Sequence, residues 1–175
     1  ARKSVVYDSD HWEKLKEIRY RALEVVQIFA EAGIDSYTYG SVARGDIHAK
    51  SDIDIVLQQQ IPSYRVELLF DSPKMQSKIH QKVIIQATPN DIIKAHYELE
   101  DDITLTLLLT NFRQLAFEFY KFGGALNSTQ LKANIRVPGV DKSLILIQPT
   151  EEGHEEYSLF DYQYEAKDII GVSQQ

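Results

Sequence analysis

The chain contains no cysteine. Disulfides, thiolate zinc sites and thiol nucleophiles are therefore excluded, and the absence fits a reducing, cytoplasmic setting. Long apolar runs are missing as well. The longest, Ile103 to Leu109, is strand-sized, against the roughly 18 residues a membrane-spanning helix needs. No secretory pattern opens the chain, so no membrane association is expected. Positive charge is short: 19 Lys and Arg face 26 Asp and Glu, a net −7 that argues against a protein built to coat nucleic acid. The deficit is uneven. Residues 111–142 carry five cations against two acids, whereas residues 143–175 carry Lys167 alone against seven acids. A solvated face accounts for the basic stretch better than a site for an acceptor's phosphates. At 175 residues the expectation is one domain, or one domain with an elaborated tail, with a core that needs no staples.

What is present is concentrated between Tyr39 and Leu57, Tyr-Gly-Ser-Val-Ala-Arg-Gly-Asp-Ile-His-Ala-Lys-Ser-Asp-Ile-Asp-Ile-Val-Leu. Ser36 to Tyr39 favours extended backbone and ends at Gly40, which permits a strained turn and close approach of a ligand. Ser41 to Ala43 would begin a short helix whose unpaired N–H groups form an anion site. Arg44 can add a planar cation, and Gly45 would end the helix in left-handed backbone. Ser51 leads into an apolar strand, Asp52 to Leu57, with two acids. Residues two apart on a strand face the same side, so Asp52 and Asp54 can share a metal ion. Buried acids are costly unless compensated, and Mg²⁺ is held by one or two carboxylates plus substrate phosphates. For Asp-Ile-Asp alone, solvated aspartates at a strand edge are the better account. The Gly-Ser turn upstream shifts the balance to a nucleotide-and-metal site.

This segment resembles the DNA polymerase beta-like nucleotidyltransferase superfamily, whose signature is Gly-Ser, a spacer and Asp-x-Asp. Gly40, Ser41, Asp52 and Asp54 match it, most closely in the form of small archaeal-type nucleotidyltransferase-domain proteins. The resemblance implies an α/β (α+β) nucleotidyltransferase fold: a mixed β-sheet core with flanking helices, here followed by a β-rich C-terminal extension. It implies Mg²⁺ or Mn²⁺ on Asp52 and Asp54, and a nucleoside triphosphate on Gly40 and Ser41, with Arg44 and Ser51 as further contacts. The activity implied is transfer of a nucleoside monophosphate to an acceptor hydroxyl with release of pyrophosphate. The acceptor, whether nucleic acid, protein or small molecule, is not identified. One departure matters. The superfamily usually supplies a third carboxylate from the next core strand, and the tract expected to form it, Lys82 to Ala87, contains no acid. Gln86 is the nearest polar residue there, and Glu67 the nearest replacement acid. Asp91, Asp101 and Asp102 read as helix caps or solvated groups.

Elsewhere, Asp10 and Glu13 suggest a capping-box start to an amphipathic helix through Leu15, Ile18, Ala22, Val25, Val26 and Phe29, stopped by Gly33. Trp12 reads as packing on its first turn. The expected organisation is a nucleotidyltransferase core over 1–100, a strand and helix extension over 101–163, and a C-terminal helix over 164–175. Ser143 to Gln148 and Glu156 to Phe160 read as strands. Asn111 can cap a helix rich in aromatics (Phe112, Phe117, Phe119, Tyr120, Phe122), suited to core packing or a homodimer interface. The last residues, with Gly-Val-Ser at 171–173, resemble the start of a helix-turn-helix unit. An alternative function is therefore a catalytically weak nucleotide-binding regulator with a DNA-binding C-terminal region. His48 lies between the turn and the acids, where it is either a proton relay or a loop residue. The other histidines lack zinc spacing.

Overall fold

The computed structural model describes residues 2–57, 61–85, 94–108 and 121–159. Helix α1 (Ser9–Glu31) buries Leu15, Ala22, Val25, Val26 and Phe29 along one face, as the apolar repeat dictates. Its N-cap is Asp8, whose side chain accepts from the His11 N–H at 2.8 Å, so the helix starts before the expected Asp10–Glu13 box. Strand β2 (Ser36–Tyr39) turns at Gly40 into α2 (Ser41–Arg44), and β3 (Ile53–Leu57) runs back antiparallel to β2. Helices α3 (Ser63–Phe70) and α4 (Pro73–Gln76) then lead to β4 (Ile79–Ile85), β5 (Lys94–Leu99) and β6 (Ile103–Leu108). Strand β7 (Ala125–Asn127) and α5 (Ser128–Lys132) follow, the helix closed by a capping box between Asn127 and Gln130.

These strands form a six-stranded mixed sheet in the order β4-β5-β6-β3-β2-β7, with β3 and β6 parallel. The order corrects one expectation. Residues 82–85 lie in β4, at the sheet's edge, and the strand beside the acids is β6. Parallel neighbours need a long crossover. Here that crossover contains α3, α4 and the β4–β5 pair, so the strand next in sequence is not the one next in space.

One face of the sheet is apolar. Ile53, Ile55, Leu57, Tyr97, Leu99, Ile103, Leu105 and Leu126 pack with the stripe of α1 and with Val66 and Phe70 of α3. Burying each large apolar side chain contributes about 1.5–3 kcal/mol. Phe70 stacks on Tyr97 at 4.1 Å and meets Phe29 edge-on at 6.2 Å, fixing α3 to this face. Glu67, exposed on α3, therefore stands on the side away from the acids and cannot replace the missing carboxylate. The opposite face belongs to the alternate residues, among them Asp54.

A second, antiparallel sheet joins the two ends of the described chain: β1 (Arg2–Val6), β10 (Gly153–Ser158), β9 (Ile145–Pro149) and β8 (Gly139–Val140), in that order. Strand β1 shows no periodic signal because it is largely exposed and, among the described residues, pairs with β10 alone. Arg136 ties this sheet to α1. Its guanidinium donates to the carbonyls of Gly153 and Thr150 and lies 4.8 Å from the Trp12 ring, so Trp12 is a packing residue. Tyr7, His154 and Glu156 form a hydrogen-bonded row beside it. Gln86, Asp91, Phe112, Phe117, Phe119, Tyr120 and the segment 164–175 lie outside the described residues.

Candidate nucleotide and metal site

The turn after β2 is built by backbone geometry. Gly40 has φ 75° and ψ −147°, a conformation side chains resist, and a Cβ placed there would meet nothing within 4 Å. The space over the turn is open. The Gly40 N–H donates to the Gly124 carbonyl at 3.1 Å, which anchors the turn to the residues before β7. The Ser41 hydroxyl donates to the Ser51 hydroxyl at 3.2 Å, and Ser51 Oγ also accepts the His48 N–H at 2.8 Å. The loop from α2 to β3 is thereby closed on itself, and Asp52 follows directly.

Asp54 pairs with Tyr39 across β2–β3, one residue from Gly40. Both aspartates are exposed, whereas Ile53 and Ile55 are buried on the core side. Asp54 keeps access to solvent, yet the protein around it displaces enough water to raise its pKa above the ordinary carboxylate range. Asp52 adds to the rise as a like charge, while Lys142 and His96 oppose it. Among the described residues, no group of three His, Cys, Asp or Glu stands close enough to hold a metal. Two carboxylates that repel each other beside an open turn suit a divalent cation that takes its remaining oxygens from phosphate and water.

Across the sheet, Asp54 is in register with Thr104 of β6, and Thr104 with Glu98 of β5. Partners in register share a face, so Glu98 stands two strands from Asp54, about 10 Å between Cα atoms. His96, on the same face, bonds Thr106 Oγ1 through Nδ1 at 2.8 Å. Sequence reasoning missed Glu98. The alternation of His96 and Glu98 with Tyr97 and Leu99 was the available signal.

Arg44 has a different setting from the one its sequence position suggested. It is 6% exposed, and its Nε and Nη2 donate to the two carboxylate oxygens of Asp46 at 2.9 and 3.0 Å. Its Nη1 donates to the Gly123 carbonyl at 2.6 Å. The guanidinium thus joins α2 to the segment before β7. Arg19 supports α2 from the other side. It donates to the carbonyls of Val42 at 3.0 Å, Ala43 at 3.0 Å and Ile135 at 2.6 Å. These include carbonyls that a short helix leaves unpaired. Desolvation, and secondarily the charge of Arg136, lowers the Arg19 pKa to about 10. His48 is exposed, and its Nδ1 accepts the Lys50 N–H at 3.2 Å within the loop.

The model of the family described as Nucleotidyltransferase domain matches residues 18–109. The chain belongs to this family. The match runs from α1 to just past β6 and takes in Gly40, Ser41 and both aspartates. Among solved structures, the nucleotidyltransferase-domain chain is similar to one titled "structure of GLD-2/RNP-8 complex", with 18% identity and a TM-score of 0.35. That similarity covers 59% of this chain and 42% of the other, so the chain spans less than half of that neighbour's length. No curated protein matches the chain. Among the described residues, no helix is long and apolar enough to cross a membrane.

Proposed function

We propose that the chain transfers a nucleoside monophosphate from a nucleoside triphosphate to an acceptor hydroxyl, releasing pyrophosphate. The observation that carries this reading is the register of Tyr39 with Asp54, which sets the open Gly40–Ser41 turn beside the two acids. The Ser41–Ser51 hydroxyl contact supports it from the loop side.

In this reading Ser41 and the first amides of α2 bind phosphate oxygens, Gly40 allows their close approach, and Ser51 holds the Ser41 hydroxyl in place. Asp52 and Asp54 would hold Mg²⁺ or Mn²⁺. Bound there, the cation would supply charge neutralisation at the phosphates and lower the pKa of a coordinated hydroxyl. The acceptor oxygen forms a bond to the α-phosphorus as the bond to the bridging oxygen breaks, and pyrophosphate leaves with that oxygen. Glu98 is the carboxylate we assign to the acceptor side, where it takes the hydroxyl proton. Arg44 and Arg19 hold the turn in shape through backbone carbonyls around α2.

A second reading, a nucleotide-binding regulator with weak turnover, draws on Thr104, the residue in register with Asp54 on the adjacent strand, which offers a hydroxyl and no carboxylate. Equilibrium binding of labelled triphosphates with Mg²⁺, together with label tracing in cell extract, tests both. Transfer of label into a product favours the enzyme, and binding without transfer favours the regulator. Asp52→Asn should abolish Mg²⁺-dependent binding, and an unchanged affinity in that variant would overturn the site.

A further inference from the structure

The guanidinium of Arg44 is already paired with Asp46 and Gly123. The second sheet carries another cation, Lys142. Strands β8 and β9 are joined by a tight turn in which Asp141 donates its N–H to the Ile145 carbonyl at 2.9 Å. The Asp141 side chain accepts the N–H groups of Ser143 at 2.8 Å and Ile145 at 3.0 Å. Lys142 is held at the tip of this turn, exposed.

The base of the hairpin rests on the segment that anchors the Gly-Ser turn. Gly139 is buried, and a Cβ there would meet Gly123 C at 2.4 Å and Gly124 N at 2.5 Å, so backbone lies directly on backbone. Gly124 in turn accepts the Gly40 N–H at 3.1 Å. The Gly40 turn, the Gly123–Gly124 segment and the Lys142 hairpin are therefore one contiguous support. Strand β9 also lies against α2, so the hairpin that carries Lys142 borders the Gly40–Ser41 turn from about 100 positions further along the chain.

We propose that Lys142 is the cationic contact for the polyphosphate of the bound nucleotide, carried into the site by the β8–β9 hairpin. This rests on the nucleotidyltransferase reading above. An ammonium on a flexible stem suits a ligand whose phosphates shift as pyrophosphate departs. It also gives the second sheet a role, since the family match ends before β7 and does not include the hairpin.

The test is Mg²⁺-dependent binding of a nonhydrolysable nucleoside triphosphate and of the matching monophosphate to the full chain, its Lys142→Ala and Lys142→Arg variants, and Asp52→Asn. Lys142→Ala should weaken triphosphate binding by about tenfold or more and leave monophosphate binding unchanged, whereas Lys142→Arg should retain most of the affinity. Lys142 is exposed, so circular dichroism should be identical across the series. Wild-type triphosphate affinity in Lys142→Ala, with loss in Asp52→Asn, overturns this proposal and leaves the reading of the site standing. Equal loss for monophosphate and triphosphate in Lys142→Ala also overturns it. Wild-type binding in both variants overturns the proposal and the site together.

Discussion

The hydroxyl of Ser41 donates to the hydroxyl of Ser51 across 3.2 Å. That contact joins the first residue of α2 to the residue before Asp52, and so ties the candidate phosphate turn to the candidate metal ligands. Four expectations concern how this turn and its neighbours are held and what they do.

Gly40→Ala isolates the backbone contribution. A Cβ there clashes with nothing within 4 Å, so the whole effect comes from φ 75° and ψ −147°. The strain should cost about 1–3 kcal/mol in urea denaturation. Triphosphate affinity should fall as the turn relaxes. Wild-type stability would mean the turn adapts without cost.

Asp54→Asn should stabilise the metal-free protein at neutral pH. The Asp54 pKa is raised on folding, first by desolvation and then by Asp52, so the folded state holds its proton to higher pH than the unfolded chain does. Stability from this group therefore falls as pH rises from the unfolded carboxylate pKa through the raised folded one. The variant's advantage should vanish below that window and be complete above it. Thermal melts at several pH values check the sign, and a destabilised variant at neutral pH would contradict it.

Arg19→Met should destabilise the fold by about 1–3 kcal/mol, because the carbonyl of Val42 loses a buried donor and that of Ile135 a part-buried one, while Ala43 keeps the Val137 N–H at 3.1 Å. Arg19→Lys should recover part of this, since an ammonium cannot reach all three oxygens at once. Denaturant midpoints of the two variants decide it. Equal loss in both would show that the guanidinium's packing matters more than its hydrogen bonds.

Glu98→Gln should lower turnover by roughly 100-fold or more while leaving triphosphate binding within about twofold, as expected for a group that acts on the acceptor. A parallel loss of nucleotide affinity would place Glu98 on the metal side instead. Transfer at the wild-type rate would remove it from the mechanism.

Much of the core was legible because its contacts are local. The repeat from Leu15 to Phe29 marks α1, and Gly40, Gly45 and Ser51 punctuate the path from β2 to β3 within about one turn of where they stand. The mistaken neighbour of β3 has a different origin. Nothing in residues 79–108 states that β6 enters between β5 and β3, because ladder hydrogen bonds use backbone groups that every residue carries. Glu98 was overlooked for the same reason. Its proposed role depends on a register that runs through Thr104 to Asp54.

The sequence by itself determined the family signature, the apolar faces and the alternation that turns Asp54 away from the core, since each follows from residue type and a period of two or 3.6. Only the tertiary structure decided what the charged side chains do. Arg44 meets a carbonyl 79 residues away, and Arg19 meets one 116 residues away. A guanidinium's partners are set by where distant backbone comes to rest, and no local pattern encodes that.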